Sequence, residues 1–325
     1  MFIMDKTILY FGFVGISFDV PRFIFQNIKE QDNKIRCSSE TIKILGSVKF
    51  IESNQQYIKY NGNGSILVYG RLDYFKEGIS LYYIGEYLAE CLLIEQDNTL
   101  LIHAASVYNP ITDHSILLLG DKGAGKTTVA LRLCIEHGYH LIGNDQVIFG
   151  LDSGILVTCA GTSFFKIRRT AVLSDKLLFR LFSKYFNHPS HFNQASWDDK
   201  ISIDPGELGI RTCNFSVEIS EIYYIKADKQ EKQICQSIWN DSLASLFLNE
   251  ILGRHISGQV ACFQSDKGKY FSAMPLINYE KNNRVREQIV KKIFTNNKLY
   301  KIIADSPDKL AKKILENASE NSYYE

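Results

Sequence analysis

The chain has 325 residues, 45% hydrophobic and 12% aromatic, enough apolar material for a sizeable buried core and too much for an intrinsically disordered protein. Its 37 basic and 36 acidic residues balance, so no whole-molecule field draws it onto nucleic acid or an anionic membrane. Seven cysteines without a C-x-x-C pair, no signal-peptide order at the N-terminus, and no uncharged apolar run near the ~20 residues that span a bilayer lead us to expect a soluble, cytoplasmic protein.

In chain order, residues 1–98 read as a β-rich N-terminal region ending in a helix. Runs rich in Ile, Val, Tyr and Phe at 7–14, 41–51, 57–60 and 65–69 are separated by polar turns such as Asn61-Gly62-Asn63-Gly64, and they predict an antiparallel β unit. Residues 79–95 carry apolar side chains at helical spacing, with Ile84, Tyr87, Leu88, Cys91 and Leu92 on one face. A strand is then predicted over 100–107, opening a nucleotide-binding domain that occupies 99–325.

Residues 120–128 read Gly-Asp-Lys-Gly-Ala-Gly-Lys-Thr-Thr and match the phosphate-loop pattern G-x-x-x-x-G-K-S/T in full. An apolar strand at 116–119 precedes the loop, and a helix starting near 127 follows it, which is the order the motif requires. Gly120, Gly123 and Gly125 let the backbone close around an anion, with Lys122 and Ala124 completing the loop. Lys126 is expected on the β- and γ-phosphates, the Thr127 hydroxyl on Mg²⁺, and Thr128 in the same nucleotide-contacting run. The second metal-facing carboxylate is expected at the end of a neighbouring strand. Asp145, closing the run 139–145, fits that position.

Further on, Lys166, Arg168 and Arg169 form a compact basic cluster after a β-like run. They read either as contacts for phosphate or an acidic substrate, or as a solvated strand edge. Residues 171–200 resemble a helix followed by a mobile insertion or lid. A strand over 221–227 and an amphipathic helix over 239–252 follow. Beyond that helix, Arg254 is a candidate cation for the transferred phosphoryl group, or simply a complement to the helix C-terminus. A strand over 298–303 leads to Ser306 and Pro307, a cap and first position for a helix through about 317. The fold class is α/β, a mixed or parallel sheet flanked by helices, preceded by the β-rich region.

Three segments taken together resemble the catalytic core of the HPr kinase/phosphorylase family over about residues 100–150. They are Leu-Ile-His-Ala-Ala-Ser at 101–106, the phosphate loop, and Gly-Tyr-His-Leu-Ile-Gly-Asn-Asp-Gln-Val at 138–147. The resemblance implies an ATP- and Mg²⁺-using kinase core of that type and a tendency to form homo-oligomers. It aligns Lys126 and Thr127 with the nucleotide and metal residues and Asp145 with the Asp beside the metal. Asn144 falls where that family has its acid/base Asp, and His103 matches the histidine neighbouring it. The sequence departs from the family at two of these places: Asn144 is an amide that accepts no proton at neutral pH, and Ala104 replaces a Gly. The Glu-x-Arg-Gly segment is also absent, which argues against HPr as acceptor and against phosphorolysis.

The leading expectation is an ATP- and Mg²⁺-dependent kinase acting on a hydroxyl of a peptide, protein or small molecule, with peptide natural-product modification as one setting. The rival is an ATP-binding switch or assembly factor with slow hydrolysis. No guanine-recognition Asn-Lys-x-Asp and no full transporter-ATPase signature occur.

Overall fold

The computed structural model describes residues 4–30, 35–36, 44–185, 200–230, 235–253, 262–268, 270–296 and 298–321. Strands β1 (Met4–Phe11) and β2 (Val14–Pro21) form an antiparallel pair about Gly12. Helix α1 (Arg22–Glu30) buries Ile24, Phe25 and Ile28 and works as a crossover, so that after β3 (Ile35–Arg36) the strand β4 (Ile44–Glu52) lies parallel to β2. Strands β5 (Tyr57–Tyr60) and β6 (Ser65–Gly70) pair antiparallel, and β6 joins β4 in parallel. The expected antiparallel unit is therefore mixed. Parallel neighbours need a long crossover, and the connection from 22 to 43, which contains the α1 that the strand-by-strand reading passed over, supplies one.

Helix α2 (Ile79–Asp97) is buried on nearly every face and carries Glu86 and Glu90 among its apolar residues. Its N-cap Gly78 offers no side chain, so the cap comes from far along the chain. The Asp266 carboxylate accepts from the N–H groups of Glu77, Gly78 and Ser80 at 2.9, 3.0 and 2.8 Å, a negative charge at the positive end of the helix. Asn98, at φ +52°, ends the helix in the left-handed conformation.

The apolar run after α2 is not one strand. β7 (Thr99–Ile102) belongs to one sheet and β8 (Ala105–Asn109) to another, with His103 and Ala104 at the break. There follow β9 (His114–Leu119), α3 (Lys126–His137), β10 (His140–Asn144), β11 (Val147–Asp152), β12 (Ile155–Thr162) and β13 (Phe165–Arg168). Next come α4 (Arg169–Ser174), α5 (Lys176–Phe182), β14 (Lys200–Ile203), β15 (Val217–Glu218), β16 (Glu221–Ala227), β17 (Cys235–Ile238) and α6 (Ser242–Gly253). The chain closes with β18 (Cys262–Gln264), β19 (Tyr270–Ala273), α7 (Tyr279–Thr295), β20 (Leu299–Ala304) and α8 (Pro307–Asn321).

The result is a mixed α/β fold with two principal sheets. The ten-stranded sheet runs β5-β6-β4-β2-β1-β3-β12-β11-β7, with β15 also on β12, so the N-terminal strands continue directly into strands from beyond residue 98. The six-stranded sheet runs β10-β8-β9-β16-β20-β17; β9, β16 and β20 are parallel, and β8 and β10 are antiparallel to their neighbours. Successive side chains of β9 serve both of its faces. Leu118 packs with α3 and α8 residues such as Val129, Leu133, Leu310 and Ile314, while Leu117 and Leu119 pack with β7, β11, α6 and α7. The described part of 171–185 is largely helical, with Val172, Leu178 and Phe182 in the core beside α3; residues 186–199, where the insertion or lid is expected, lie outside the described residues. The two sheets meet where β10 crosses β12. A Cβ on Gly143 would sit 2.5 Å from the Gly161 Cα, and one on Gly161 equally close to the Gly143 Cα, so neither position admits a side chain without parting the sheets.

Candidate active site

Strand β9 delivers the chain to Gly120, whose φ of +149° few other residues adopt and whose added Cβ would lie 2.5 Å from the Ile225 carbonyl oxygen. Gly123 and Gly125 also have positive φ, +90° and +96°. The loop is tied down at its middle: the Ala124 N–H donates to the Asp121 carbonyl at 3.1 Å, and the Ala124 carbonyl accepts from the Ala227 N–H on β16 at 3.0 Å. Gly125 is the N-cap of α3 and gives the first turn no side-chain acceptor, the condition under which helix N–H groups serve an anion. Lys126 is only 6% exposed, and its Nζ donates to the Gly120 and Asp121 carbonyls at 2.6 and 3.1 Å. The ammonium is thus folded over the loop's own concavity. Thr127 is half-buried, Thr128 buried, and Lys122 and Gly123 exposed at the crest.

The second half of the site follows from strand register. Ala105 is the register partner of both Leu118 on β9 and Asn144 on β10, while Ile102 on β7 is opposite Val147 on β11. Residues 103–104 and 145–146 therefore pass side by side from one sheet to the other. This places His103 and Asp145 just beyond the carboxyl ends of β9 and β10, the end from which the phosphate loop springs and where ligands of open α/β sheets bind. Asp145 is half-buried with φ +71°, a left-handed conformation that Asp tolerates better than most residues. His103 is half-buried at the crossing. Asn144, by contrast, is completely buried. Its Nδ2 donates to the Phe164 carbonyl at 3.3 Å, and its Oδ1 accepts no hydrogen bond among the described residues, so this amide holds the β10–β13 connection.

Lys166 and Arg168 share one face of β13, opposite the buried Phe165 and Ile167, and Arg169 opens α4. Lys166 lies close enough to Glu86 on α2 to favour its charged form. Arg254 lies outside the described residues. Several residues of the site neighbourhood were not singled out from the sequence. The Tyr224 hydroxyl donates to Asp121 Oδ2 at 3.4 Å, and the Tyr224 ring packs on Trp239 and Phe247 at centroid distances of 4.8 and 4.5 Å. The buried Arg132 pairs with Asp175 at 3.0 Å, Asp308 at 3.2 Å and Glu136 at 3.3 Å, fastening α3 to α5 and α8. Glu86 is also buried, and burial lifts its pKa to about 7 against the opposing pull of Gln146, the residue after Asp145, and of Lys166. A carboxylate pair spaced i, i+4 in an otherwise apolar helix is the sequence signal that points to Glu86 and Glu90.

Among the described residues, no three His, Cys, Asp or Glu side chains gather to hold a metal by themselves. The donors that suit Mg²⁺ are the Asp145 carboxylate, the Thr127 hydroxyl and the phosphate oxygens of a nucleotide, an oxygen set with few protein ligands, as that ion prefers. Among the described residues, no helix is long and apolar enough to cross a membrane.

No protein-family model matches the chain, and no curated protein does. Among solved structures, a similar one is the HPr(Ser) kinase/phosphatase from Coxiella burnetii. It is 14% identical, the match covers 48% of this chain and 95% of that one, and the TM-score is 0.25.

Proposed function

We propose that the chain is an ATP- and Mg²⁺-dependent phosphotransferase that moves the γ-phosphoryl group of ATP to a hydroxyl of a peptide, protein or small molecule. One observation carries this reading: a complete phosphate loop with its lysine folded inward opens at the same sheet end as His103 and Asp145, which the register pairs Ala105–Leu118, Ala105–Asn144 and Ile102–Val147 hold side by side. On nucleotide binding, Lys126 exchanges its two carbonyl acceptors for β- and γ-phosphate oxygens, while the N–H groups of the loop and of the first turn of α3 take the remaining oxygens. Asp145 and Thr127 would hold Mg²⁺, which would neutralise charge on the phosphates. The acceptor oxygen forms a bond to phosphorus as the bond to the ADP oxygen breaks, and the acceptor's proton passes to His103. In a loose transition state that proton leaves late, so positioning counts for more than a strong base. His103 takes this role because Asn144 is buried and engaged with Phe164.

The burial of Asn144 also favours a second reading, a nucleotide-driven switch that hydrolyses ATP slowly, since without a carboxylate at that position transfer suffers more than binding. Incubation of the protein with γ-labelled ATP, Mg²⁺ and fractionated extract separates the two. Label on an acceptor hydroxyl, absent with Lys126→Ala, supports the phosphotransferase. Release of inorganic phosphate without a labelled acceptor supports the switch, and failure to bind ATP removes both.

A further inference from the structure

Strands β13 and β14 form a two-stranded ribbon in antiparallel register, with Phe165 opposite Ile203, Lys166 opposite Ser202, Ile167 opposite Ile201 and Arg168 opposite Lys200. Alternation along each strand sorts these side chains onto two faces. Phe165, Ile167 and Ile203 enter the core that includes α3, with Ile201 packed against it, so Lys166, Ser202, Arg168 and Lys200 share the other face. Three of those four are cationic and neither strand contains an acidic residue, in a chain whose charges otherwise balance. Arg168 and Lys200 stand directly across from each other. Like charges so placed destabilise a strand pair, and a two-stranded ribbon has little stability to give up. Lys200 and Ser202 are exposed, and Lys166 and Arg168 are half-buried. Lys166 also lies near Glu86, but burial drives that carboxyl towards its neutral form, so it offsets only part of the charge.

The ribbon is rooted beside the candidate active site. The Phe164 carbonyl, one residue before β13, accepts from Asn144 Nδ2 at 3.3 Å, and the Thr162 N–H donates to the Gln146 carbonyl at 2.9 Å, so the chain sets out along β13 from next to Asp145. At the rise of a strand, Lys166 and Arg168 come about 7 and about 13 Å beyond Phe164, and an extended peptide, which has the same rise, matches them with alternate side chains. We propose that the outer face of the β13–β14 ribbon binds the acceptor, an acidic peptide segment that lies extended along β13 and carries carboxylates at alternate positions from its phosphorylated hydroxyl. This rests on the phosphotransferase reading and names its acceptor class. A carboxylate accepts two parallel N–H bonds from a guanidinium, and one placed at Arg168 also relieves the repulsion from Lys200 across the ribbon.

Fluorescence anisotropy on the full chain tests this with a labelled synthetic peptide that has a central serine and glutamate at the second and fourth positions to either side. The same peptide with glutamine or with lysine in those places is the comparison. The glutamate peptide is expected to bind about 10-fold or more tightly than the glutamine peptide, and the gap to narrow as ionic strength rises past about 0.15 M. Arg168→Glu and Lys200→Glu are each expected to shift the preference towards the lysine peptide; the exposed Lys200 gives the answer if Arg168→Glu does not fold. With γ-labelled ATP and Mg²⁺, the glutamate peptide is expected to take label on its serine at a lower KM than the glutamine peptide. Lys200→Glu is expected to raise that KM while ATP affinity stays as in wild type. The inference is overturned if the three peptides bind alike, if none binds, or if Lys200→Glu and any folded Arg168→Glu leave the preference for glutamate in place. It is equally overturned if the glutamate peptide binds but takes no label while an acceptor in the extract does. If neither peptide nor extract takes label, the phosphotransferase reading fails and the inference falls with it.

Discussion

At the scale of single residues, Lys126 has two sets of partners. Its ammonium donates to the Gly120 and Asp121 carbonyls, and the proposed reaction moves it onto phosphate. Lys126→Ala leaves those carbonyls facing the open loop, so the fold is expected to survive while phosphoryl transfer falls by ~10³, the usual loss for one such electrostatic group. Turnover and thermal melting, measured on the same sample, check both halves. Asp145→Asn is a cleaner substitution than most, because Asn accepts the left-handed φ that Asp145 adopts. It is expected to leave the melting temperature unchanged while Mg²⁺-dependent turnover collapses, read by titrating activity against Mg²⁺. His103→Ala is expected to lower kcat by about 10²–10⁴ with ATP affinity intact, the range for a lost general base. A wild-type rate in that variant would make His103 a packing residue of the sheet crossing.

At the scale of elements, α2 connects stability to pH. The folded-state pKa of Glu86 lies at about 7, above the ordinary carboxyl value of 4.5, with burial as the chief cause, and Glu90 is raised in the same direction. The fold therefore favours the protonated carboxyl. The stability this contributes is fully present below about pH 4.5 and is lost as pH rises through 7. Glu86→Gln removes the loss: denaturant unfolding is expected to give nearly equal stabilities for mutant and wild type near pH 4.5. The mutant's advantage should then grow towards pH 8, by at most about 3 kcal/mol. A difference that stays flat from pH 4.5 to 8 would show that Glu86 titrates normally in the fold. Further along, Arg132 fastens α3 to its neighbours, since a single buried guanidinium holds the N-cap residue of α5 and the first turn of α8 against it.

At the scale of the molecule, the proposed site lies where two sheets cross. β10 and β12 approach until Gly143 and Gly161 touch, and within a few residues of that contact the chain passes between the sheets at 103–104 and 145–146. Gly161→Ala is expected to force them apart, costing about 1–3 kcal/mol as an overpacked contact does. It should also weaken Mg²⁺-dependent ATP binding, although the residue touches no ligand. Unchanged stability would mean that the sheets adjust around the methyl, and the crossing would not be the rigid joint described.

What the sequence determined by itself is what depends on neighbours along the chain. The glycine-rich turn between a buried strand and a helix, the strand at 221–227, and the start of α8 at Pro307 after Ser306 were all legible. Glycine placement, local capping by a neighbouring side chain and apolar periodicity act over a few residues. The tertiary structure decided everything that depends on pairing at a distance. It made β4 parallel to β2, because the direction of pairing is set by a crossover and not by a strand's own residues. It divided the apolar run after α2 between two sheets, since a continuous hydrophobic stretch does not say which faces will bury it. It buried Asn144, where the sequence pattern placed the amide beside the acceptor. A side chain's exposure, and hence its chemistry, is a property of what packs across it, and here that is a second sheet joined to the first through residues far apart in the chain.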